Sequence, residues 1–309
     1  MQFIENEEQE KKGFRWKMQQ FLDKESVAGY VFSAPFIIGF LGFTLIPMAF
    51  SMYYSLTDYD MINAPTFVGM DNYTRLFTDA RFLKSIRVTL VYVGISVPVK
   101  LIFALFIAYL LTRKVKGDTL YRSLFYVPSL IGGSIAVALV WKELFARLGL
   151  INALLNTIGL ESINWFGAQD KAMIPLILSS AWQFGSAMII FAAGLKEIPN
   201  TYYEAALIDG ANKAQMFFKI TLPLLSPIIL FNLIMQTISA FMAFTQAFVI
   251  TGGGPNDATN FYALYVYNHA FNFYNMGYAS AMSWIMLLII AFITFMILKF
   301  SKYWIFEEK

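Results

Sequence analysis

Cysteine is absent from this 309-residue chain, which excludes disulfides, thiolate metal sites and cysteine nucleophiles together. A single histidine, His269, rules out any two-histidine metal site. Charge is scarce: Asp, Glu, Lys and Arg make up 14% of the residues, against about 25% in soluble domains. None of the 20 acidic residues falls inside a long apolar stretch. Carriers driven by protons or sodium need an oxygen-rich or titratable site at membrane depth, so that class is disfavoured. No G-x-x-x-x-G-K-[ST] sequence occurs, so no P-loop is present for nucleotide hydrolysis. Enzymatic readings are left without a chemistry. A passive channel, a receptor, or a transporter powered by another subunit remain.

Apolar side chains fill the space that charge leaves. They account for 58% of the residues, 31 of them Phe. A bilayer core about 30 Å thick takes roughly 20 apolar residues per helix. Six stretches meet that length: Val27–Leu56, Val88–Leu111, Ser123–Trp141, Ala172–Leu195, Ile220–Ile250 and Gly277–Leu298. The expected class is therefore all-α integral membrane protein. Residues 1–26 read as a polar cytoplasmic tail, 27–300 as a six-helix membrane domain and 301–309 as a short cytoplasmic tail. The apolar run after the tail is too long for a signal-peptide core, so it reads as a retained span. With both termini cytoplasmic, fifteen of the 23 Lys and Arg fall on the inner side and seven on the outer, which obeys the positive-inside rule. A net charge of +3 gives no argument for nucleic acid.

Between the spans, the stretch 142–171 repeats Leu148, Ile151, Leu154, Leu155 and Ile158 at helical spacing, which points to one or two short helices on the outer surface. Pro35, Pro47, Pro98, Pro128, Pro175, Pro223 and Pro227 lie in or at the ends of spans, where proline favours kinks. Lys100 is the one ionisable side chain well inside a span. It snorkels, faces a polar interior, or pairs with a partner subunit.

The polar passage EAALIDGANKAQMFFKITLPL, residues 204–224, interrupts this apolar chain on the cytoplasmic side. Thr201-x-x-Glu204 has the form of a capping box after Pro199, and Gly210 that of a helix terminator. The segment therefore reads as a short helix, a tight turn and a re-entry into the membrane: a knob held beneath the bilayer. Its spacing E-A-A-x3-G-x9-I-x-L-P is met by Glu204, Ala205, Ala206, Gly210, Ile220, Leu222 and Pro223. That pattern resembles the cytoplasmic EAA loop of binding-protein-dependent ABC importer permeases, here spanning 196–223. FVGMDNYTRLF (67–77), VPSLIGGSIAVALVWKELF (127–145), GLINALLNTIGL (149–160), INWFG (163–167), TGGGPNDAT (251–259) and MGYASAMSWI (276–285) resemble carbohydrate permeases of the maltose and glycerol-3-phosphate type. The similarity covers about residues 30–300, without the extra N-terminal spans and large external insertion of the maltose-type first subunit.

The resemblance implies a MetI-like permease fold with six transmembrane helices, in a bacterial or archaeal cell membrane. It implies a second homologous permease, two ATPase subunits that bind ATP and Mg, and an extracytoplasmic solute-binding protein, with no cofactor in this chain. Glu204, Ala205, Ala206, Asp209 and Gly210 would couple to the ATPase. Ser129, Trp182, Gln183, Gln236, Ser239 and Phe244 match the family's sugar-contacting stretches; aromatic faces and amides suit sugars. Each could equally serve helix packing. Expected solutes are a sugar or oligosaccharide, with a polyol or glycerol phosphate as the alternative. A passive channel would not need the knob.

Overall fold

The computed structural model describes residues 25–112 and 117–306; the rest of the expected N-terminal tail, and residues 113–116 and 307–309, lie outside the described residues. The described chain is helical apart from a small ribbon, β1 (Thr57–Asp58) paired antiparallel with β2 (Thr66–Phe67). Helices α1 (Glu25–Phe40) and α2 (Ile46–Ser55) run on as one through a widened π-turn, Leu41–Leu45. Then come α3 (Asp71–Thr78) and α4 (Ala80–Leu111), followed by α5 (Asp118–Ile131), α6 (Ile135–Leu144) and α7 (Leu150–Thr157). Helices α8 (Met173–Trp182), α9 (Gly185–Glu197) and α10 (Asn200–Ile208) precede the short α11 (Lys213–Met216) and α12 (Leu222–Leu224). Helices α13 (Ser226–Phe241), α14 (Tyr262–Tyr267) and α15 (Met276–Ser301) complete the chain.

Three helical runs, Gly29–Ser55, Ala80–Leu111 and Met276–Ser301, are long and apolar enough to cross a membrane unaided. Three more reach that length only as bent pairs: α5 with α6 at 97°, α8 with α9 at 44°, and α11–α12 with α13 at 65°. Six passages result if each bent pair is one span, and the kinks expected in the spans are in these three pairs complete breaks. The reason lies in local sequence. Gly132-Gly133 ends α5, and Ser134 starts α6 as its N-cap, with its hydroxyl accepting from Val137 N at 3.3 Å. The expected fifth span is likewise shorter than Ile220–Ile250, since α13 stops at Phe241. On the stretch 142–171 one new helix forms, α7, and its Asn152 is buried; that amide donates to Ile163 O and accepts from Trp165 Nε1.

Proline acts in a way its positions alone do not reveal. Pro98 sits inside the 32-residue α4 without ending it, whereas Pro47 and Pro223 each follow a π-turn, Leu41–Leu45 and Phe217–Thr221. A proline ring collides with the carbonyl four residues back, here Phe43 and Lys219. Both lie in the widened turns, where the ring is accommodated.

Helix α4 is the hub and packs on α8, α9 and α13. Its Tyr92, Val97, Leu101, Ala104 and Ala108 are buried against Ala187, Met188, Phe191 and Ala192. Small residues let membrane helices approach closely. At Gly185 the approach of α9 to α5 leaves no room for a side chain, since a Cβ there would stand 2.6 Å from Phe125 O. By contrast, the first half of the run Gly29–Ser55 is bare, with Phe32 and Phe43 85% and 88% exposed, while Ile46–Ser55 packs on α15. Such a face is stable in lipid or against another apolar helix.

The beginning of α4 is clasped by Asp79. One of its oxygens caps the helix, accepting from Arg81 N and Phe82 N; the other accepts from Tyr265 Oη and Tyr278 Oη, both at 2.8 Å. Burial pushes the Asp79 carboxyl up, but these hydrogen bonds outweigh it and hold the group below the usual carboxylate range. Arg81 pairs with Asp257 through both oxygens, at 2.8 and 3.1 Å, and Lys84 donates to Asn256 O at 2.6 Å. His269 lies buried among the rings of Tyr265, Phe273 and Tyr278. Burial shifts its titration below that of ordinary histidine.

Candidate functional site: a bare helix and a central cavity

Helix α10 starts two residues earlier than the sequence suggests. Pro199, in extended backbone, precedes Asn200 at the first helical position, and no side chain caps the start. Thr201 is thus inside the helix, so the Thr201–Glu204 capping box does not form. The box that does form lies in the next helix: Gln215 N donates to Asn212 Oδ1 at 2.9 Å, and Asn212 N donates to Gln215 Oε1 at 2.8 Å. The expected stop is present. Gly210 takes φ +77°, and Ala211 N donates to Ala206 O at 2.9 Å while Gly210 N donates to Leu207 O at 3.1 Å. These two bonds are the Schellman pair, which only a residue at ease with positive φ completes without strain.

No residue of α10 is buried, and Leu207 and Ile208 stand 60% and 87% exposed. Glu204 makes no hydrogen bond or ion pair among the described residues. A side-chain bond between Tyr203 Oη and Thr221 Oγ1, at 2.9 Å, helps fasten the helix. The π-turn that carries Thr221 packs Phe217 on Tyr109, near the end of α4, with ring centres 5.0 Å apart. Glu204, Ala205, Ala206, Asp209 and Gly210 therefore share a solvent-facing knob at the end of α4 remote from Asp79.

Midway along the bundle, the α5–α6 and α8–α9 breaks border a cavity of about 240 Å³. Gln183 reaches it from the break after α8, Gln236 and Ser239 from α13, and Phe244 from the turn beyond. Lys100 of α4 lines it too, together with Tyr92, Ser180 and Gln246. Of the three environments open to Lys100, the structure gives the polar interior. Two amides also tie off carbonyls near the breaks: Gln246 Nε2 donates to Gly132 O at 3.0 Å, and Gln183 Nε2 to Ser179 O at 3.2 Å. Backbone freed at membrane depth must be satisfied in this way.

Ser129 and Trp182 do not line the cavity. The Ser129 hydroxyl donates to Gln183 O at 3.0 Å and accepts from Ser186 N at 3.1 Å, so it clasps the α8–α9 break. Trp182 packs edge-on against Trp141. Sequence reasoning missed Tyr92, Ser180 and Gln246 as lining residues. It also missed the breaks that admit them, although Gly132-Gly133-Ser134 carried that signal.

The family profile described as "Binding-protein-dependent transport system inner membrane component" matches residues 79–302, a stretch that contains both knob and cavity. The chain belongs to that family. It is 53% identical over 296 residues, 94% of this chain and 96% of the relative, to the probable ABC transporter permease protein YesP of Bacillus subtilis. It is 37% identical over 264 residues to the multiple sugar-binding transport system permease protein MsmF of Streptococcus mutans, covering 84% of this chain and 90% of that one. In fold it is similar to a chain of a bacterial alginate ABC transporter solved with an alginate pentasaccharide-bound periplasmic protein. There the TM-score is 0.75 at 22% identity, over 92% of this chain and 95% of that one. The permease is a non-catalytic membrane subunit, and ATP hydrolysis belongs to a separate ATPase.

Proposed function

We propose that the permease is the membrane-spanning subunit of an ATP-driven importer for a sugar or oligosaccharide. A second, related permease completes the translocation path, two ATPase subunits dock on the knob side, and an extracytoplasmic binding protein delivers the solute. The observation that carries this reading is one of continuity. The knob α10 leads directly into α11, the Phe217–Thr221 turn and the 65° bend, and so into α13, which presents Gln236 and Ser239 to the cavity. A push on the knob is therefore a push on the cavity wall.

In this mechanism Glu204, Ala205, Ala206, Asp209 and Gly210 form the coupling surface, and Gln183, Gln236, Ser239 and Phe244 meet the solute. Amides and hydroxyls match sugar hydroxyls, and the Phe244 ring suits a C–H face. Ser129 and Trp182 act on the path through the α8–α9 break. The cavity is smaller than the roughly 300–1,000 Å³ of most ligand sites, as befits a wall that a second permease closes. The relatives named for sugar transport support the solute class, and the charge bias supports six passages with both termini in the cytoplasm.

The test is uptake of labelled saccharide into vesicles containing the whole complex. Uptake should require internal ATP and persist when an uncoupler and a sodium ionophore abolish ion gradients at constant ATP. Loss of uptake at unchanged ATP would instead mark a secondary carrier.

A further inference from the structure

We infer that the transported solute is an anionic saccharide whose carboxylate pairs with Lys100; this deepens the reading of the permease as a sugar importer and rests on it. Lys100 is the one charged side chain in the cavity lining, and its neighbours there are neutral amides, hydroxyls and rings. It makes no hydrogen bond or ion pair among the described residues. An ammonium has three donors and no acceptor, and an unpaired charge at membrane depth is costly.

Snorkelling offers no escape. Eleven residues separate Lys100 from the nearer end of α4 at Leu111, about 16 Å of helix rise, which is more than a lysine stem can cover. The ammonium therefore stays at the depth of the cavity, where no carboxylate among the described residues meets it. A neutral sugar needs nothing there that Gln183, Gln236 and Ser239 do not already supply. A carboxylate needs a cation, and in a water-poor site the pair is stronger than any contact between neutral groups. Uronic acids join the two requirements in one molecule, with hydroxyls for the amides and a carboxylate for the lysine.

The experiment uses the complete importer in cells lacking other saccharide uptake. Two labelled panels are compared: digests of polygalacturonate, alginate and glucuronoxylan, and digests of starch, galactan and arabinan. ATP-dependent uptake should be confined to uronate-bearing oligosaccharides. It should fall at least tenfold in Lys100→Gln, be largely kept in Lys100→Arg, and leave the amount of assembled complex unchanged. Uptake of neutral oligosaccharides alone overturns the inference and leaves the sugar-importer reading intact. So does wild-type uptake of acidic ones by Lys100→Gln. Loss of assembly in Lys100→Gln and Lys100→Arg alike would make the lysine a structural partner of the second permease and overturn it as well. Uptake of neither panel would remove the sugar-importer reading itself, and this inference with it.

Discussion

At the end of the bundle where α4 begins, one carboxylate accepts four hydrogen bonds and gathers α4, α14 and α15 around itself. At the other end, α10 buries none of its residues, and Tyr203 ties it to Thr221. The two regions lie about 48 Å apart along the 32 residues of α4. One is finished within the chain. The other carries Leu207 and Ile208 into solvent and leaves Glu204 without a partner, so its completion must come from outside. This contrast separates what the permease needs in order to fold from what it needs in order to work.

The largest expected effect lies at the bare end. Gly210→Val places a β-branched residue at φ +77°, where Gly has open space but a side chain strains the backbone by about 1–2 kcal/mol. Together with Glu204→Lys and Ala205→Trp, it should cut uptake by two orders of magnitude while membrane insertion stays normal. Uptake and immunoblot of the same membranes check this. Normal uptake in all three would erase the functional half of the contrast.

At the clasped end, Asp79→Ala should act on stability first. It removes a helix cap worth about 1 kcal/mol and strands two tyrosine hydroxyls, each at about 1–3 kcal/mol. A lowered thermal midpoint of the purified complex and reduced yield are expected, with ATPase retention unimpaired in the fraction that folds. The pH dependence has a defined sign. Because the folded Asp79 titrates below its ordinary value of 3.8, its contribution is fully present above that pH and fades only as the pH falls below it. Stability profiles of wild type and Asp79→Asn should therefore differ at pH 5 and converge below 3.8.

The smallest effect sharpens the comparison from within the same region. Arg81–Asp257 is a bidentate pair, but Arg81 is 62% exposed; exposed pairs contribute at most about 1 kcal/mol. Arg81→Ala should shift the thermal midpoint far less than Asp79→Ala. Equal shifts would mean that the ion pair, rather than the carboxylate cluster, holds this end.

What was legible in the sequence follows the same division. The apolar runs disclosed the class of fold, and E-A-A-x3-G disclosed the knob with its glycine stop, because both are encoded by residues close in sequence. The capping box was misplaced by one helix, since Thr201 and Asn212 satisfy the same local pattern and only the backbone at Pro199 decides between them. Proline was a partial guide to the bends: the 65° bend falls between Pro223 and Pro227 as expected. The sharpest falls at Gly132-Gly133, while Pro47 and Pro223 are absorbed by π-turns whose widening no local pattern announced. The cavity was half legible. Gln183, Gln236, Ser239 and Phe244 were named from resemblance, but Tyr92 and Lys100 join them only through the packing of α4 on α8 and α13, which is a long-range fact.

The absence of cysteine offers the most direct test of the central claim, that α10 is the seat of the ATPase. Single cysteines at Ala205 and Ile208 in the knob, and at Leu148 on the far loop, can each carry a thiol-specific benzophenone in an otherwise thiol-free permease. After illumination of the assembled complex, Ala205→Cys and Ile208→Cys should capture the ATPase, to a degree that changes when ATP is bound, and Leu148→Cys should not. Capture that fails at both knob positions in a complex that still transports would contradict the account.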